Sequence, residues 1–178
     1  MAAGQSVPVP GYTHCVVGTD HRPEPRMHLV QQRFGASELR GFDKRLAAEV
    51  KTTLGDQGVG PGARIAIAVG SRGVSPIRQV VRIVIDIVRS LGAEPFVVPA
   101  MGSHGGATAE GQLAVLAGYG ITEEGVGAPI RATMDTILIG EMEDGTPVHM
   151  DRHAHEADGV VLINRINCLL YTSDAADE

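Results

Sequence analysis

Residues 63–100 read ARIAIAVGSRGVSPIRQVVRIVIDIVRSLGAEPFVVPA, and the order of patterns within them decides the fold. ARIAIAVG is a short β-branched run ending at Gly70 and reads as a strand. SPIRQVVRIVIDIVRSLG then changes to a helical period. Ser75 is placed to cap it, Pro76 to occupy its first position and Gly92 to end it. Ile77, Val80, Val81, Val84, Val88 and Leu91 form the expected buried stripe. PFVVPA follows at once as a second strand. Strand, helix and strand in this order and at these lengths predict a right-handed parallel crossover.

The same design repeats downstream. MGSHGGATAEGQLAVLAGYG is a glycine-rich turn entering a helix that Thr108 could cap, bounded by Gly118 and Gly120. ITEEGVGAPI reads as a short capped turn and DTILIG as a strand. EDGTPVHM is a hairpin-like return around Asp144 and Gly145, and GVVLIN is a further buried strand. Upstream, Leu39, Phe42, Leu46, Val50 and Leu54 predict a helix from Ser37 that Gly55 stops. Before it, β-like patches around Cys15–Val17 and Met27–Val30 flank the Pro-rich loop DHRPEP. The expected fold is α/β, with a mainly parallel sheet, βαβ crossovers and a Rossmann-like three-layer arrangement.

The 178-residue length and 43% hydrophobic content suit one domain with a substantial core. With three Phe, three Tyr and no Trp, that core is aliphatic, and stacking on nucleic-acid bases is not expected. A formal charge of −6 gives neither nucleic acid nor an anionic membrane the basic stripe it needs, so a small-molecule partner is expected. Cys15 and Cys168 match no CxxC pattern, and no run approaches the ~20 apolar residues of a membrane span. A soluble cytoplasmic protein is the expectation; the oligomeric state is not legible.

Ligands of an open parallel α/β sheet bind beyond the carboxyl ends of its strands, where loops expose backbone N–H groups and helix N-termini favour anions. Two loops fall there. VGSRGVSP offers Ser71 and Arg72, and Arg72 could hold a carboxylate through a bidentate pair. AMGSHGGAT offers Gly102, Ser103, His104, Gly105, Gly106 and Thr108. The bare glycine backbone would let a substrate or phosphate come close, and His104 carries the side chain best suited to moving a proton near neutrality. Together these suit proton abstraction beside a carboxylate. The bland alternative is a solvated Arg72, a helix-capping His104 and glycines that serve tight turns. HMDRHAHEAD is dense in His149, Asp151, His153, His155 and Asp158, but its spacing fits no closed zinc pattern, so a polar loop is favoured and His153 and His155 are only weak metal candidates. Ser71 and Ser103 lack the G-x-S-x-G elbow of a hydrolase nucleophile.

GSRGV, PFVVPAMGSHGGATAEGQ, the YGIT turn and ADGVVLINRI, in this order and spacing, resemble the amino-terminal domain of the nickel-dependent lactate racemase family. The resemblance runs from Arg64 to Ile166. It implies an isomerase that racemises or epimerises 2-hydroxy acids with a nickel-pincer nucleotide, His104 as one of two histidines that exchange the hydroxyl proton, and Arg72 as the holder of the substrate carboxylate. The family's acidic residue and T-R-P run are replaced here by VGSRGV, which opens the substrate to other hydroxy acids, sugar acids included. Family members continue from N-R-I into K-P-H-T and later supply a second histidine, the cofactor lysine and a nickel-binding histidine. Here NCLLYTSDAADE follows Ile166. The expectation is therefore an incomplete domain over residues 1–166, a non-native tail over 167–178, and a fragment inactive by itself. Two other functions fit the same residues: a non-catalytic module that holds a carboxylate or phosphate in the two glycine-rich loops, and a metal-dependent hydrolase built on the histidines of 149–158.

Overall fold

A computed structural model of the chain describes residues 6–9 and 12–16, as backbone, and residues 41–71, 74 and 76–164. Two units separate, residues 1–38 and 39–178. In the first, β1 (Ser6–Val9) pairs antiparallel with β2 (Tyr12–Val16). β2 overlaps the expected patch at Cys15–Val17, whereas β1 had no counterpart in the sequence reading; the Met27–Val30 patch lies outside the described residues.

The second unit is an α/β fold around a parallel three-stranded sheet. Its elements are α1 (Phe42–Asp56), β3 (Arg64–Val69), α2 (Ile77–Ser90), β4 (Glu94–Pro99), α3 (Ala109–Gly118), α4 (Glu123–Val126), β5 (Thr136–Glu141), β6 (Pro147–Asp151), α5 (Arg152–His155) and β7 (Gly159–Ile163). The strand order is β4-β3-β7, with β3 parallel to both neighbours. β5 and β6 form a separate antiparallel hairpin. Beyond β4 the sheet is prolonged by one parallel bridge, Val97 with Ile130.

Both faces of β3 are covered, which is why its sequence is an unbroken apolar run. Ile65, Ile67 and Val69 point into the larger core with Val81, Val84, Ile85 and Val88 of α2, Leu116 and Ile121. Ala66 and Ala68 face the other way, against Phe96, Val98 and Ala154. Small residues are needed there because α5, a single turn, packs close. Each fully buried Val or Ile stabilises the fold by about 1.5–3 kcal/mol relative to exposure, so the α2 contact is the dominant one. Ile85, fully buried, belongs to the α2 stripe and was missing from it; Val80 and Leu91 are only partly buried.

Several boundaries shift. Pro76 lies just before the first helical residue of α2, with φ −93° and ψ 96°, instead of within the helix. Ser75 and Ser37 lie outside the described residues. Gly55 does not stop α1, which runs to Asp56, because the left-handed position that closes it is taken by Gly58 at φ 75°. Most of the segment 149–158 is not a loop: His149 lies in β6, Asp151 caps α5 by accepting the Ala154 N–H at 2.9 Å, and only residues 156–158 form a turn before β7. Thr108 caps α3 as expected, accepting the Gly111 N–H at 3.0 Å.

Candidate functional site

All three strands of the parallel sheet end at one edge, so Gly70–Ser71, Ala100–His104 and Asn164 follow neighbouring strand ends. β3 leads to β4 on one side, and β7 returns on the other. The connections thus diverge at this edge, the usual ligand position in such sheets.

Ser71 is buried at 7% exposure, and its Oγ lies 2.5 Å from His104 Nδ1. Thirty-three residues apart in sequence, the two meet because adjacent parallel strands deliver them side by side. Behind them, the Tyr119 hydroxyl donates to the Ser71 carbonyl, tying the end of β3 to the end of α3. Gly70 is pressed by Asn164: a Cβ at Gly70 would fall 2.5 Å from the Asn164 Oδ1. These contacts give the edge a fixed shape.

The MGSHGGAT loop is built with comparable closeness. Gly105, Gly106 and Ala107 are all left-handed, at φ 68°, 69° and 53°. Gly105 packs onto the first turn of α3, where a Cβ would meet the backbone of Gly111 and Gln112 at 2.3–2.6 Å. The Thr108 hydroxyl donates to the Gly105 carbonyl at 3.1 Å while capping α3. Gln112, buried at 6%, donates to the Gly102 carbonyl at 2.9 Å. Gly102 and Gly106 keep open space where a side chain would stand. The turn that carries His104 is thus bound to the helix through the backbone, and its outer glycines are bare.

The family model of the lactate racemase N-terminal domain matches residues 36–172. The chain belongs to this family. No curated protein matches it. The lactate racemase N-terminal domain here brings Ser71, His104, Gly102, Gly105, Gly106 and Thr108 to one edge of the sheet. Ser103 is exposed beside them, its carbonyl accepting the Ala107 N–H at 3.0 Å. Arg72 lies outside the described residues.

His153 and His155 sit on α5, and His149 on β6 has Nδ1 3.2 Å from the Thr136 hydroxyl. Among the described residues no three His, Cys, Asp or Glu side chains converge as metal ligands. No helix among them is long and apolar enough to cross a membrane.

Tyr119, Gln112 and Asn164 were not singled out from sequence. Gln112 carried a detectable signal, a polar residue on the core-facing side of a short helix. Tyr119 and Asn164 carried none, since only the sheet brings residues 48 and 94 positions away to the end of β3.

Proposed function

We propose that this domain contributes one half of the active site of a 2-hydroxy-acid racemase or epimerase, with His104 as an acid–base group. The observation that carries the proposal is the Ser71–His104 pair at the carboxyl edge of a parallel sheet, in a chain of the lactate racemase N-terminal domain family.

The pair has a property suited to an isomerase. A serine hydroxyl both donates and accepts, so it can accompany either tautomer of the ring. When Ser71 donates to Nδ1, Nε2 carries a proton and can give it; when Nδ1–H donates to Ser71, Nε2 is bare and can take one. A carboxylate partner would favour only the Nδ1–H form. An enzyme that accepts both configurations at C2 needs its histidine as base in one direction and acid in the other. The bare backbone of Gly102 and Gly106 leaves room for the substrate's carboxylate or hydroxyl, and Arg72, by the family resemblance, holds that carboxylate.

Full-length members are expected to use a nickel-pincer nucleotide, which supplies hydride chemistry at C2 when bound. Among the described residues no three His, Cys, Asp or Glu side chains form a metal site of their own; the chemistry of this chain's residues is proton movement at the hydroxyl. The substrate is a 2-hydroxy acid, sugar acids included. In the holoenzyme containing this domain, His104→Gln should lower racemisation by about 10²–10⁴-fold and change hydroxy-acid affinity less than threefold. Turnover retained within tenfold would overturn the assignment, and an unsubstituted holoenzyme that binds without any turnover would favour the binding module.

A further inference from the structure

We propose that the opposite, amino-terminal edge of the same sheet carries a separate oxyanion site for a small phosphate-bearing molecule. Arg64 opens β3 and Glu94 opens β4, so this edge stands about 20 Å from Ser71 and His104, the length of a six-residue strand. A hollow of about 270 Å³ lies there, lined by Arg64, Arg89 and Arg131 with Glu94 and the buried Pro95 and Phe96. Three arginines far apart in sequence line one small concavity of a chain whose formal charge is −6.

How each arginine is held favours an anion over a purely structural tie. The Arg131 guanidinium lies 4.5 Å from the centre of the Phe96 ring. A cation held over a ring face is restrained in position while its N–H groups remain able to meet an oxyanion. Arg89 donates to the Gly127 carbonyl and Arg64 to the Glu156 carbonyl. Carbonyl partners orient a cation without neutralising it. The ion pairs among the described residues are Arg64 with Asp158, at 3.9 Å, and Arg152 with Asp135, so neither Arg89 nor Arg131 has a described carboxylate at pairing distance. Of the charged residues lining the hollow, Arg64 is offset by Asp158, which leaves Arg89 and Arg131 against the one carboxylate Glu94, an excess of one positive charge. Beside them Pro95 and Phe96 offer a small apolar wall to the body of an organic ester.

The test is a titration of the isotope-labelled chain with inorganic phosphate and, separately, phenyl phosphate, followed by backbone and arginine Nε–H NMR. Saturable shifts centred on Arg89, Phe96 and Arg131 are expected, with phenyl phosphate tighter if an ester is the natural ligand and equal affinity if free phosphate is. Arg131→Gln and Arg89→Gln, checked for an unchanged fold by their spectra, should each weaken binding at least about tenfold. Phe96→Leu should weaken it less, by releasing the Arg131 guanidinium. Shifts centred instead on Gly102–Gly106, no saturation at millimolar phosphate, or unchanged affinity in both arginine variants would overturn the proposal. The result does not depend on the hydroxy-acid assignment, which concerns the other edge.

Discussion

Gly105 and Gly106 provide a paired substitution that separates backbone strain from crowding in the turn that carries His104. Their conformations are nearly identical, φ 68° and ψ 26° against φ 69° and ψ 23°. Alanine at either position incurs the left-handed penalty of about 1–2 kcal/mol, offset by about 0.4–1 kcal/mol because alanine restricts the unfolded chain. Only at Gly105 would the new Cβ meet backbone, with Gly111 C at 2.3 Å and Gln112 N at 2.5 Å; at Gly106 nothing lies within 4 Å. Backbone cannot swing aside as a side chain can, so Gly105→Ala should cost a further 1–3 kcal/mol or so, the usual range for overpacking. Gly106→Ala should therefore destabilise by about 1 kcal/mol and Gly105→Ala by about 2–4 kcal/mol. Urea unfolding, with the slope unchanged between variants, measures both. Equal midpoints for the two would refute the packing of this loop onto α3.

Two further outcomes follow from named contacts. Ser71→Ala should remove the hydrogen-bond signature at His104 Nδ1 in imidazole nitrogen NMR and destabilise the domain by about 1 kcal/mol; an unchanged Nδ1 resonance would show that the pair does not form in solution. Asp144 accepts the Thr146 N–H at 2.9 Å in the β5–β6 turn, and these Thr146 bonds hold its carboxyl below the usual carboxylate range. Because the folded value is the lower one, the stabilisation is complete above the unfolded pKa of about 3.9 and fades as pH falls through the folded value. A carboxyl-carbon titration of Asp144 with its midpoint at or above the ordinary value would contradict this, and Asp144→Asn should abolish the acid-dependent loosening.

The chain shows in detail where local reading succeeds. β3, α2 and β4 were legible because each has one period and one set of boundaries: an apolar run, a 3.6-residue stripe and a second run. Errors fell at boundaries, where two residues compete for one role. Gly55 and Gly58 could both end α1, and only the path of the chain into residues 59–63 selects Gly58. Ile85 was missed because a stripe drawn on one line leaves out the flank that a broad sheet also covers.

The site divides in the same way. Sequence alone picked out Ser71 and His104 as candidates and placed them after strand ends: both stand in glycine-flanked loops between a strand and a helix, and that placement is a matter of local order. The tertiary structure decided what those residues do to one another. Parallel pairing of β3 with β4 puts Ser71 Oγ against His104 Nδ1, and the return of β7 on the other flank brings Asn164 to Gly70. Tyr119 reaches the same strand end from α3. Such contacts depend on strand order and register, long-range choices made by the burial of two sheet faces at once, and no local pattern encodes them. The arginine hollow at the far edge is the clearest instance, since Arg64, Arg89 and Arg131 look like three ordinary surface cations until the sheet and its covering helix bring them together.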